Sequence, residues 1–401
     1  MEASMTDVSN VKDGYDLFAG EYAEDPDALW ARMRQGGCPV AHSEKWGGSW
    51  VVTRYDDVRD IALDSARFSS RAVEVAGPIP EVGHELFLPP LTSNPEDHKA
   101  HRELLAPFFT PAKIAELEPF VREEARRLAE AIAERGAGDA VGDFARPLAL
   151  SVISHILKVP VDAQNRFVDW VVRLVRLGPL DQTVRSAVIR EKLEYLEGLL
   201  EQRAAEPGDD LISYLAHATL DGEPLSRKHK LGSLFLLVLA GADTTWSAMG
   251  ASLWHLASHP QDRALLIEQP EIMRTTAVEE LLRAYAPVSI ARLTTEPVEL
   301  RGRCIAAQQR VILPLAAANR DPAVFDDPDE VKLDRKRNRH LTFSSGEHRC
   351  LGSNVARLEL RVALEEWLRV MPNFHLSAPD AVEWTAGQTR GPEQVLVVVD
   401  R

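Results

Sequence analysis

Cysteine is scarce in this chain, with 3 in 401 residues: Cys38, Cys304 and Cys350. So small and odd a set excludes a disulfide framework and points to a reducing, cytoplasmic setting. Positive charge is also in short supply. Lys and Arg total 46 against 61 Asp and Glu, a net charge of −15 that opposes phosphate backbones and excludes nucleic acid as an expected partner. Residues 1–27 are acidic and polar, with no basic segment leading into an apolar one, so no secretory leader is expected. No uninterrupted run of about 18 apolar residues is present to cross a bilayer. The longest candidate, 231–242, is too short and reads as the middle of a buried helix, so no membrane anchor is expected. Internal repeats, low-complexity tracts and flavin or nicotinamide fingerprints are missing as well, so electrons for any redox chemistry would have to come from another protein.

What remains is a chain with 45% apolar residues, enough for a large core, patterned mainly for helices. Helical spacing runs over 26–35, where Asp25 and Pro26 supply a start signal, then 55–63, 112–135, 144–158, 164–177, 182–205, 209–217, 231–258, 272–285 and 354–370. Extended segments are few, with 50–53 and 288–294 the clearest. The fold class is therefore mainly α with a small β region. Residues 71–93 lack any period because Gly77, Pro78, Pro80, Gly83, Pro89 and Pro90 break it. A loop of that length is usually mobile or functional, and Leu86, Phe87 and Leu88 are its candidates for capping a pocket.

Five groupings carry chemistry. In Phe343-Ser344-Ser345-Gly346-Glu347-His348-Arg349-Cys350-Leu351-Gly352 a single thiol stands just before a helix, where free N–H groups favour a thiolate and lower its pKa. Read alone, such a Cys is more often a small buried hydrophobe. The long 231–258 segment, apolar nearly all round, contains Ala240-Gly241-Ala242-Asp243-Thr244-Thr245. A buried acid and a Gly are both unfavourable there, and a Thr hydroxyl bonding back to a helix carbonyl opens the ladder locally. Leu236, Leu239 and Ala240 lie on the preceding turns as candidate pocket walls. His98 and Arg102 share one face of a helix announced by Asn94-Pro95, and Glu280 and Arg283 are i,i+3 neighbours; either pair is ordinarily a solvated surface feature. Finally, Arg335, Lys336, Arg337, Arg339 and Arg349 gather basic charge near Cys350 in an otherwise acidic chain.

The Phe-x-x-Gly-x-His-x-Cys-x-Gly spacing resembles the haem-binding loop of the cytochrome P450 family, and the order of motifs from Trp50 to Val398 is similar to the soluble bacterial members. One departure is Ser344, where the family usually has Gly. The resemblance implies one domain over 1–401 with the triangular helical prism of that family, residues 1–20 forming a poorly ordered tail. Haem b, iron protoporphyrin IX, would lie between the long central helix and the Cys-loop helix. Cys350 would be the axial iron ligand, within a loop that includes Phe343 and Gly352. His98, Arg102, Arg292 and His348 would hold the propionates, and Glu280 with Arg283 would lock Arg335 behind the loop. Thr244 would hold water and Asp243 relay protons to O2, while Val288 and Ile290 would face the substrate.

The implied reaction is monooxygenation of a small apolar organic substrate, with two electrons from NAD(P)H. They would arrive through a ferredoxin or flavodoxin-type partner and its reductase, docking on the basic cluster. A peroxide-driven peroxygenase, a non-catalytic haem-thiolate sensor and a metal-free protein with a core thiol are the alternatives.

Overall fold

Apolar residues recurring every three to four positions generate the frame, and local chemistry sets its ends. The computed structural model describes residues 15–18, 21–35, 39–81, 86–160 and 163–400; Cys38 and residues 1–14 of the expected tail lie outside them. Pro26–Gln35 starts where the Ala28 N–H donates to the Asp25 carboxylate (3.0 Å) and buries Leu29, Trp30 and Met33. Gln182–Ala205 starts where Asp181 accepts from the Thr183 and Val184 N–H groups at 2.8 and 3.2 Å. Pro95–Leu105 follows Asn94, which makes no side-chain cap bond.

The expected tail is corrected at its inner end. Tyr15 and Leu17 are buried with Trp30, Met33, Val51 and Ile312, and their backbone oxygens accept from the Ser43 hydroxyl and the Gly387 N–H. Burial of two large apolar side chains outweighs the polar composition around them.

The described strands form four small sheets. The largest sheet runs Val40–Ser43, Ser49–Val52, Arg310–Pro314, Ser289–Thr294, Phe68–Ser69, and all neighbours are antiparallel except Ser49–Val52 with Arg310–Pro314. Ser289–Thr294 is thus an interior strand, with Arg292 opposite Val311. Helices bury the rest of the core. The Cys-loop helix, Ser353–Val370, packs along Pro111–Arg135 and is buried on more than one side, with Val362, Leu364 and Trp367 all in the core. Charged rows flank that seam, where Arg122 and Arg361 bridge Glu118 and Glu365.

The long central helix is interrupted rather than continuous. Arg227–Ala240 and Asp243–Ser258 meet at Gly241 and Ala242, and Ala242 has φ −102° and ψ −73°. The Thr244 hydroxyl donates to the Ala240 carbonyl (2.9 Å), the back-bond that disturbs helix ladders. π-helical turns break two segments expected to be regular, at Arg173–Leu177 and Met273–Ala277, and a third, Ala140–Ala145, leads into Arg146–Leu157 from before the expected start at 144.

By length and mean hydropathy (1.2 and 1.3), Ala140–Leu157 and Arg227–Ser258 are each long and apolar enough to cross a membrane, contrary to the expectation from uninterrupted runs. Both are mostly buried among other helices, as core helices are. Lys192 ties one of them to its neighbour: its Nζ donates to the Phe235 carbonyl (3.0 Å) and lies 3.8 Å above the Phe235 ring, and burial drives its pKa well down.

Candidate active site

The Cys350 loop is shaped by backbone bonds between its arms. The Cys350 N–H donates to the Phe343 carbonyl (2.9 Å) and the Ser344 N–H to Leu341 (2.7 Å). This turn requires left-handed backbone at two positions. Gly346, at φ +75°, has no alternative, since a Cβ there would meet the Ala62 carbonyl oxygen at 2.8 Å. Ser344 has φ +59°, a conformation in which a Cβ is strained, and its hydroxyl is buried with no partner among the described residues.

The Cys350 sulfur opens onto an internal cavity of about 820 Å³. The residue counts as exposed, yet the surface it shows faces that cavity, and burial pushes its thiol pKa up. The expected lowering at the helix start is therefore overturned. The Gly352 amide and Arg102, Arg349 and Arg357 pull the other way but do not outweigh desolvation.

Four nitrogen-bearing side chains converge on the same cavity: His98, Arg102, Arg292 and His348. The His98 and His348 rings meet edge to face at 4.3 Å between centroids. His98 Nε2 and His348 Nδ1 are buried without partners among the described residues. Arg292 is buried, donates to the Ala291 carbonyl (2.8 Å) and makes no salt bridge among those residues. Burial, with Arg292 and His98 beside it, lowers the His348 pKa to about 3, and burial lowers that of Arg292 to about 10. Glu347 is the nearby acid, 3.9 Å from His98 and 3.7 Å from His348. A buried cluster of donors this poor in counter-charge suits a ligand bearing carboxylates. Gly352 borders the cavity and a Cβ on it would meet nothing, so a flat ligand has room against that backbone.

Asp243 and Thr244 lie on the cavity wall at the helix interruption. Asp243 is buried, one of its carboxylate oxygens has no partner, and burial raises its pKa against the opposing pull of Arg176 and a Thr389 hydrogen bond. Arg176 itself pairs with the half-exposed Glu393, so polar groups continue from Asp243 to the surface. Leu236, Leu239, Ala240, Val288 and Ile290 also line the cavity. Phe87 does not. It packs edge-on against His101 and His229, and its carbonyl sits where a Cβ on Gly232 would be, 2.1 Å away, while Leu86 and Leu88 reach the cavity instead.

Behind the loop, Glu280 and Arg283 are fully buried and doubly bonded at 2.8 Å. Arg335 Nε completes the group at 3.0 and 3.1 Å from the Glu280 oxygens. Arg335 therefore turns inward and leaves the surface cluster, whereas Lys336, Arg337, Arg339 and Arg349 stay exposed.

Three further parts of the site went unread in the sequence. Asn319 accepts from the Leu341 N–H (2.6 Å) and donates to the Thr342 hydroxyl (2.9 Å) and the Arg283 carbonyl (3.2 Å), tying the loop to the Glu-Arg helix. Glu279 accepts from Arg357 (2.6 and 2.9 Å) and meets His340 (3.0 Å), while Arg357 lies 4.4 Å over the Phe343 ring. Glu359 is a second buried acid on the cavity wall, its pKa pushed well above the usual carboxylate range by desolvation alone. Its signal was an acid on the apolar face between Leu358 and Leu360; the other two sets join residues too far apart in the chain to show any spacing.

Comparison with known proteins follows the same lines. A family model for cytochrome P450 matches residues 181–388. The chain is 31% identical over 382 residues to the polyketide biosynthesis cytochrome P450 PksS of Bacillus subtilis, covering 91% of this chain and 93% of that one. It is 36% identical over 358 residues to nocardicin C N-oxygenase of Nocardia uniformis (87% and 89% covered), and 34% identical to mycinamicin IV hydroxylase/epoxidase of Micromonospora griseorubida with the same coverage. The solved structure of PksS superposes with a TM-score of 0.88, at 31% identity, over 96% of this chain and 100% of that one.

Proposed function

Because this chain belongs to the cytochrome P450 family and is a P450 monooxygenase, we propose that it inserts one atom of O2 into a small, largely apolar organic molecule held in the 820 Å³ cavity. Members of the family bind haem b and draw electrons from NAD(P)H through partner proteins. Bound haem supplies the activation of O2. The Cys350 sulfur would hold its iron, and a coordinated cation reverses the balance that keeps the thiol protonated. Arg102, Arg292, His98 and His348 would take the two carboxylates of its propionates, giving the buried donors their missing acceptors. The Thr244 hydroxyl orients water at the helix interruption, and Asp243 passes protons inward from the side of Arg176 and Glu393. Leu236, Leu239, Val288 and Ile290 exclude bulk water and hold the substrate by apolar contact.

The exposed set Lys336, Arg337, Arg339 and Arg349 is the docking face for an acidic ferredoxin or flavodoxin-type protein, in a salt-sensitive contact. The sparse cysteines accord with a cytoplasmic enzyme built as one domain over 1–401.

The observation that carries this reading is the opening of the Cys350 thiol and four counter-ion-poor nitrogen side chains onto one cavity, with His98, Arg292 and His348 buried and Arg102 half-buried. Its test is Cys350→Ala. The thiolate signature of the reduced carbon monoxide complex and substrate turnover should both disappear, and survival of both would overturn the assignment.

A further inference from the structure

One charged pair on the cavity wall has no part in the chemistry above. Arg185, in the first turn of Gln182–Ala205, donates through Nη2 to Glu74 at 2.5 Å, and both residues border the cavity. Their side chains are 20% and 22% exposed, so the pair stands where the cavity meets solvent. It also joins two separate segments, the 71–81 loop and the helix that carries Arg185. Gln182, one turn away, reaches to 3.2 Å from where a Cβ on Gly77 would stand.

A second cation lies behind the pair: the Arg310 guanidinium is buried, fixed on the Trp46 and Gly77 carbonyls at 3.4 and 2.9 Å, and within electrostatic reach of Glu74, though it neither bonds to Glu74 nor borders the cavity. Glu74 is bonded to Arg185. Arg185 uses a single nitrogen on Glu74, and its Nε and Nη1 make no bond among the described residues, so one edge of the planar fork is open. That edge matches a second carboxylate, whose two oxygens a planar guanidinium can meet side by side and a point-like ammonium cannot.

We propose that Arg185 is a specificity-determining residue that anchors a substrate carboxylate at the cavity mouth while the apolar remainder of the molecule extends inward. This rests on the monooxygenase reading and names its substrate class as apolar carboxylic acids. Glu74 acts in opposition, as the resident counter-ion with which the incoming carboxylate competes.

The experiment compares dodecanoate with dodecanol on the purified holoenzyme, by Soret shift and in parallel by titration calorimetry. Native protein should bind the acid about tenfold more tightly than the alcohol, equivalent to roughly 1.4 kcal/mol. Arg185→Gln should bring that ratio near unity, Glu74→Gln should raise it, and neither should alter dodecanol binding. A native ratio near one, or a ratio unmoved by both variants, overturns the proposal. A protein without a Soret band would instead refute the haem-thiolate reading, and calorimetry would still measure the ratio on which Arg185 is judged.

Discussion

Replacing Glu280 with Ala strips a carboxylate from a fully buried arginine, and the size of the effect can be worked from the bonds that remain. Arg283 would lose two 2.8 Å contacts but keep the Asn319, Pro328 and Glu330 carbonyls at 2.9, 2.7 and 2.8 Å. Arg335, Asn338 and the Lys332 N–H would lose the same acceptor. Breaking a buried pair costs about 3–5 kcal/mol, and the surviving carbonyls place this case near the lower end, about 3 kcal/mol. Against a total of roughly 5–15 kcal/mol for a folded domain, that is a large fraction.

Arg283→Met should be less harmful, about 2 kcal/mol, because Arg335 still neutralises Glu280. The double variant should fall short of the sum by roughly 2 kcal/mol. Urea unfolding of the four proteins at pH 7 measures the cycle. The sign with pH is fixed as well. Burial pushes the Glu280 carboxyl up, but the Arg283, Lys332 and Arg335 bonds bring it below its ordinary value. Its contribution is then complete above the unfolded pKa of about 4.3 and is lost as pH falls through the folded one. Additive single effects, or a Glu280→Ala protein as stable as its parent, would refute the reasoning.

Ser344→Gly removes a Cβ from left-handed backbone and an unpartnered hydroxyl from the interior, so it should stabilise by about 1 kcal/mol, read as a raised urea midpoint with an unchanged slope. His229 gives a pH effect of the opposite sign to Glu280 in charge type but the same in direction. Burial, with His101 beside it, lowers its pKa to about 4, so as pH falls the unfolded chain takes up this proton first, near 6.5. Stability should drop by up to roughly 3 kcal/mol between pH 7 and pH 4 on this account, and His229→Phe should flatten that part of the urea-midpoint profile.

Much of this architecture is legible in single residues. Asp25, Asp181's neighbour Gln182, Asn94-Pro95 and the apolar period after Cys350 mark helix ends that the structure reproduces within a residue or so. Contacts across long stretches of chain are not legible. Nothing in the spacing of Glu279, His340 and Arg357, or of Asn319 and Thr342, announces that tertiary packing brings them together. Sequence also misjudges competitions between large opposing terms. At Cys350 the helix terminus was visible while the desolvation that exceeds it was not. Phe87 was assigned to the cavity by its type and neighbourhood, yet the missing side chain at Gly232 turns it elsewhere. The π turns carry no spacing pattern of their own.

The interruption at Gly241 and Ala242 has a practical consequence for altering selectivity. Leu236, Leu239 and Ala240 belong to the half-helix before it, and Thr245 and Ala248 to the half-helix after it. A continuous rod would transmit any bulky replacement along its whole length as a rotation. Two rods meeting at a joint transmit it less, and the side-chain link across this one is the Thr244 hydroxyl on the Ala240 carbonyl. Engineering campaigns should therefore randomise positions 236 and 239 together, keep 240 as it is, and leave 245 and 248 for separate rounds.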